Sequence, residues 1–320
     1  MGNRKEDLLK RYHARQGTPA WGKDYQPAIK ATPQEAPRIS RPTIMWSPML
    51  GREVHLLSQP ETKAAFLALF HPSLIDLHEQ RVLPPAPACH PLQGSPAGRG
   101  LKFPPLPGTI AIAESLGVIK RHPKVYYDFG DGTHGWVPLP FVGDLLLFLT
   151  DQDGPYCANW NVKLTEEDYL RPGPRCLGRV VRRQPNQNAE LRHLIEENLY
   201  REPGIPTTRV TGSKLDADLI ANLRDLFGWH TRECKASGSQ RTDVLGMLKE
   251  GVGADQPTYV IVRRAAAATS LSEDQARIIF HQAVWRRELR VDLFKPLLMD
   301  RRLTAEREDP LQRYASWFRR

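Results

Sequence analysis

The apolar and polar positions of the chain change period along its length, and each period predicts an element. Leu145-Leu146-Leu147-Phe148-Leu149 is a short unbroken apolar run, the pattern of a strand covered on both faces. Asp153-Gly154 marks a turn, after which Tyr156, Ala158, Trp160 and Val162 alternate with Cys157, Asn159, Asn161 and Lys163. That period of two predicts a strand whose polar face carries Lys163. Upstream, Ser58-Gln59-Pro60-Glu61 precedes Ala64-Ala65-Phe66-Leu67-Ala68-Leu69, the spacing of a capping box with Ser58 as N-cap and Glu61 at the third helical position. A helix over roughly 188–200, a strand over 207–211 and a helix over 216–227 stopped by Gly228 complete a mixed α/β region.

Beyond Ser239 the periodicity turns helical. Helices are expected over 242–250, 257–267 and 272–288, followed by Leu289-Arg290-Val291-Asp292-Leu293 as a short wing strand. This order suggests a winged helix-turn-helix, whose third helix commonly enters a major groove. Within that helix Ile278, Ile279, Ala283 and Trp285 fit a core, whereas Arg277, Gln282, Arg286 and Arg287 fit a face that reaches DNA or is simply solvated. The chain thus divides into a basic N-terminal arm (1–42), an α/β domain (43–232), a winged-helix-like domain (240–303) and a basic aromatic tail (304–320) with Tyr314, Trp317 and Phe318 between arginines. Such a tail suits docking on a partner or on DNA.

Composition narrows the class. A length of 320 residues allows two or three domains, and a net charge of +9 fits a polyanionic partner. Cys89, Cys157, Cys176 and Cys234 have no C-x-x-C spacing, which argues against structural zinc or a disulfide framework and favours a reducing cytoplasm. The start lacks an apolar signal region, Glu6 breaks the myristoylation pattern, and no apolar stretch is long enough for a membrane span.

The candidate chemistry lies in Glu61, Asp144 and Lys163. Phosphodiester hydrolysis needs divalent cations to generate hydroxide and neutralise the scissile phosphate, carboxylates to hold them, and a point charge to orient water. Each residue also has a plain structural explanation: Glu61 as a helix cap, Asp144 as a turn residue at the head of a strand, Lys163 as a solvated strand end.

Gly22-Lys23-Asp24-Tyr25, Gly51-Arg52-Glu53-Val54-His55-Leu56-Leu57-Ser58, Ile75-Asp76-Leu77-His78-Glu79-Gln80, and Ile110-Ala111-Ile112-Ala113-Glu114-Ser115 through Lys120-Arg121-His122-Pro123 follow one another in an order that resembles the TnsA family. TnsA is the endonuclease subunit of heteromeric bacterial transposases. The resemblance implies a restriction-endonuclease-like core with Glu61 and Asp144 as metal ligands and Lys163 as the catalytic lysine. It places Asn161 where the family has a glutamine, and a further glutamate at Glu196. It also implies magnesium, or manganese in its place, transposon-end DNA, a DDE-type transposase that cuts the other strand, an AAA-type ATPase regulator and a bacterial cytoplasmic setting. Two stretches depart from the family as apparent insertions, 84–108 and the segment of Arg171, Arg175, Arg179, Arg182 and Arg183. Those arginines suit a DNA backbone or a solvated loop. A stand-alone restriction or repair nuclease and a catalytically silent DNA-binding adaptor are the alternative functions.

Overall fold

The computed structural model describes residues 4–37, 41–171 and 186–320, so Arg175, Arg179, Arg182 and Arg183 lie outside the described residues. The chain is mixed α/β and forms two compact units. One comprises 1–64, 73–214 and 317–320, and the other 65–72 and 215–316.

In the first unit α1 (Arg4–Gln16) precedes the hairpin of β1 (Thr43–Ser47) and β2 (Arg52–Leu56), and α2 (Gln59–Leu69) follows, its first half in this unit. Next come β3 (Leu74–Glu79), β4 (Val82–Leu83), α3 (Thr109–Ser115), the hairpin of β5 (Lys124–Asp128) and β6 (His134–Pro138), and β7 (Phe141–Val142). Then β8 (Leu145–Asp151), β9 (Gly154–Lys163), α4 (Glu167–Leu170), α5 (Gln187–Arg201) and β10 (Thr207–Thr211) complete it.

The main sheet among the described residues has four strands in the order β10-β9-β8-β3. β8 runs antiparallel to both neighbours, and β9 pairs in parallel with β10. The position of β8 explains its sequence: a strand with neighbours at both edges and cover on both faces has no polar side, and Leu145–Leu149 is buried throughout. Leu146 and Phe148 join Cys157, Ile195 and Leu199 in one apolar cluster. Leu92 and Leu106 belong to the same cluster, so the 84–108 stretch contributes side chains to the core.

β9 is buried on both faces. Its odd face (Asn159, Asn161, Lys163) carries polar groups, as the alternation predicts, while its even face is covered by the end of the chain. Trp160 Nε1 donates to the Trp317 carbonyl (2.6 Å), Tyr156 Oη donates to the Phe318 carbonyl (2.9 Å), and the Phe318 ring packs edge-on against Trp160. Arg320 forks onto Asp151 at 2.8 and 3.1 Å. The aromatic tail therefore docks on this chain's own sheet rather than standing free for a partner.

The second unit contains α6 (Ala217–His230), α7 (Gly238–Glu250), α8 (Thr258–Ala268), α9 (Glu273–Trp285) and α10 (Pro310–Arg313). It takes in α6, which the sequence boundary at 232 leaves with the α/β region. Gly228 does not stop α6. Two further residues, Trp229 and His230, stack on His281 and Trp285 at 4.5 Å each, and that packing carries the helix through a glycine whose helical penalty is about 1 kcal/mol. Asn222 pins the loop after α9, donating to the carbonyls of Leu293 (2.9 Å) and Lys295 (2.8 Å) and accepting from Leu297 N (2.9 Å).

α9 ends at Trp285, not 288, and is buried from Ile278 to Val284, packed by α6, α7 and α8. The expected wing strand is a single antiparallel bridge between Val291 and Ala305. No helix among the described residues is long and apolar enough to cross a membrane.

Candidate functional site

Asp144 occupies the first position before β8, and Lys163 the last of the adjacent antiparallel β9, so the strand register carries the two side chains to the same end of the sheet. Lys163 Nζ donates to Asp144 Oδ2 at 3.0 Å, and Val162 N donates to the same oxygen at 2.8 Å. Burial opposes ionisation of Asp144, yet the Lys163 ammonium and Arg192 guanidinium hold its carboxyl below the ordinary range.

Glu61 does cap its helix, though with a partner one residue earlier than the capping-box spacing predicts. Its Oε2 accepts from Leu57 N (3.0 Å) rather than from Ser58 N, while Oε1 accepts from the Ser58 hydroxyl (2.7 Å). Gln80 Nε2 donates to Oε2 at 2.9 Å. Burial and then the Asp144 charge push the Glu61 carboxyl up to about 7. The Asp144 charge that raises Glu61 is of the kind a bound cation would relieve.

Asn161 lies beside this pair but does not face it alone. Its Nδ2 donates to Glu196 Oε2 (3.0 Å) and to His193 Nδ1, while Asn159 Nδ2 donates to Glu196 Oε1 (3.1 Å). Glu196 is fully buried on α5, with Arg192 one turn away at 3.6 Å. Burial pushes the Glu196 carboxyl up, Arg192 works against that, and Asp144 adds to it. His193 is pressed down to about 3 by burial and by Arg192 and Lys163, so it is neutral and its Nδ1 accepts. Gly143 makes room for Glu196: a Cβ there would stand 3.0 Å from Glu196 Oε1. Asn161 Oδ1 is buried without a hydrogen-bond partner.

The predicted residues Glu61, Asp144, Lys163, Asn161 and Glu196 therefore converge, as a direct acid–lysine pair, a capping acid coupled to it, and an amide–glutamate group behind. Among the described residues, no group of three or more His, Cys, Asp or Glu is arranged to hold a metal. Two buried carboxylates still fit magnesium, which takes few protein oxygens and keeps several waters.

The described arginines proposed for DNA are mostly paired or stacked within their own units. Arg171 is exposed and bonds Glu167 one turn back (3.1 Å). In the second unit Arg277 lies over the Trp229 ring, and Arg287, at φ 63° beyond α9, gives both nitrogens to Asp309 at 3.0 and 2.6 Å. Gln282 is buried against the Arg232 carbonyl (2.8 Å), and Arg286 is exposed. The exposed start of α9 carries Glu273 and Asp274, whose charge opposes the approach of a phosphate backbone.

The sequence reading missed Gln80, Asn159, His193 and Arg192. Asn159 shares the odd register with Asn161 and Lys163, and Arg192 and His193 lie one turn before Glu196, so alternation and helical spacing could have found them. Gln80 acts over a long sequence distance and carries no local signal. Compared with family models and curated proteins, the chain matches no family model and no curated protein.

Proposed function

We propose that the chain is the metal-dependent DNA endonuclease subunit of a heteromeric transposase, built on a restriction-endonuclease-like core of the TnsA kind. The observation that carries this is the Lys163–Asp144 pair at 3.0 Å across adjacent strands, with the buried Glu61 carboxyl raised by the Asp144 charge beside it. Two carboxylates and an ammonium at the end of a sheet match the needs of phosphodiester hydrolysis in number and sign. The order of TnsA-like segments along the sequence supports the same assignment.

A divalent cation would supply a water of lowered pKa and neutralise charge on the scissile phosphate. Glu61 and Asp144 would hold it. Lys163 would orient the attacking water or meet the charge on phosphorus. Glu196 would act from behind, fixing Asn159 and Asn161 and so the strand that presents Lys163. In this reading the protein cuts the 5′ strand at each transposon terminus, a DDE-type transposase cuts the other, and an AAA-type ATPase regulates the pair.

The test is reconstitution. Purified protein, magnesium and transposon-end DNA are assayed for strand cleavage with and without the transposase subunit. Cleavage that needs both metal and the partner is the expected result, whereas metal-dependent cleavage by the chain alone would indicate a stand-alone nuclease. One observation favours a silent adaptor: Asp144 is already neutralised by Lys163. DNA binding without cleavage under any metal would decide for it.

A further inference from the structure

Gln80 touches both acids of the site from a position that the chemistry above leaves unexplained. It follows β3 and holds a left-handed backbone, φ 51°, which a non-glycine residue adopts at a cost and which the surrounding structure must enforce. The turn aims its backbone N–H at the Asp144 carbonyl (3.0 Å) and its side-chain amide at Glu61 Oε2 (2.9 Å). Glu61 belongs to α2 and Asp144 to the head of β8, so a single residue bridges two elements with no strand pairing between them. The other donors to the Glu61 carboxylate, Leu57 N and Ser58 Oγ, sit within its own capping turn. They hold the carboxylate on its helix but cannot fix it relative to the sheet.

The N-terminal segment enforces the turn. The Gln80 carbonyl accepts from Ala28 N (3.0 Å) and from Gln16 Nε2 (3.1 Å), and Gln16 Oε1 accepts from Val82 N (2.8 Å). Tyr25 Oη donates to the Glu79 carbonyl at 2.7 Å. Beneath it, Arg52 forks onto the buried Glu79 carboxylate at 2.8 and 2.9 Å. From Glu79 to Val82 the backbone is thus held by groups from α1 and the stretch that follows it.

We propose that Gln80 is the positioning residue that sets the Glu61 carboxylate against Asp144, and that Gln16 and Ala28 of the N-terminal segment hold it in place. Its consequence for cleavage rests on the nuclease assignment, but the positioning itself does not. Gln80 touches no substrate; it acts through Glu61.

The test uses full-length Gln80→Gly and Gln80→Met. Glycine accepts φ 51° without strain, so Gln80→Gly removes the amide while keeping the turn and its bond to Asp144. Methionine keeps the shape but has no N–H to give. The first readout is amide hydrogen exchange in metal-free, DNA-free protein at Leu57, which donates to Glu61, and at Val162, which donates to Asp144. Both variants should exchange Leu57 about tenfold faster, as expected for loss of one charge-assisted hydrogen bond, with Val162 unchanged in Gln80→Gly. Calorimetric manganese affinity should fall, and cleavage should lose kcat while KM for DNA stays put. Leu57 exchange at the wild-type rate in Gln80→Gly would overturn the proposal. A wild-type protein that never cleaves DNA would overturn the nuclease assignment instead, and Leu57 exchange would still decide the role of Gln80.

Discussion

Glu61 combines a helix cap and an anionic site, and the two roles respond differently to substitution and pH. Its carboxyl, raised to about 7 by burial and by Asp144, stays protonated in the fold at pH values where the unfolded chain has ionised it. The sign follows by linkage: the folded state binds more protons, so the contribution of Glu61 is present below the unfolded carboxyl range and is lost as pH rises toward 7. Glu61→Gln, neutral at every pH, should match wild type in thermal midpoint at pH 4 and exceed it at pH 8 in metal-free calorimetry. Glu61→Ala should lose about 0.5–2 kcal/mol at pH 4 because the cap is gone. Equal losses in both variants at pH 8 would mean the carboxylate is not strained by its neighbours. Lys163→Met should slow single-turnover cleavage by a factor that corresponds to about 3–4 kcal/mol at saturating DNA. If the loss appears only in DNA affinity, Lys163 is a backbone clamp. The sequence showed these residues because each sits at the edge of a regular pattern; Gln80 sits after one, and its partners are remote.

β9 shows how far a pattern reaches. Alternation predicted that Asn159, Asn161 and Lys163 share a face, because side-chain direction in a strand is a local property, and the apolar run of β8 announced a covered strand for the same reason. What covers Trp160 was not legible, since Trp317 and Phe318 return from the far end of the chain and their aromatic-basic composition fits a docking peptide equally well. The wing expected at 289–293 is reduced to one bridge to Ala305, a pairing partner the local sequence does not specify, and the stop expected at Gly228 gave way to ring stacks made by tertiary neighbours. If the tail is part of the sheet unit, Phe318→Ala should cost about 3–5 kcal/mol in chemical denaturation, the range for an aromatic lost from a core. An unchanged denaturation midpoint would return the tail to the role of a detachable peptide.

The chain carries a net charge of +9, while its described candidate DNA-reaching arginines are mostly paired or stacked, so the proposed DNA contact rests on dispersed charge. Its affinity for duplex DNA should fall with a linear log–log dependence on salt, measured by fluorescence anisotropy, and a flat dependence would argue against backbone binding. Under the proposed nuclease assignment, the α/β unit holds the candidate cutting site and the helical unit is left for assembly with partner subunits. All of this rests on the carboxylate pair being a nuclease site. The most direct test is magnesium-dependent strand cleavage of transposon-end DNA, with partner subunits present, by wild type and by Asp144→Asn. The amide keeps an acceptor for Val162 N, so the fold survives while a metal-binding charge is removed. The account predicts cleavage by wild type and none by Asp144→Asn at saturating magnesium, with the variant melting lower because Lys163 loses its charged partner yet still folded at the assay temperature. Undiminished cleavage by Asp144→Asn would contradict it.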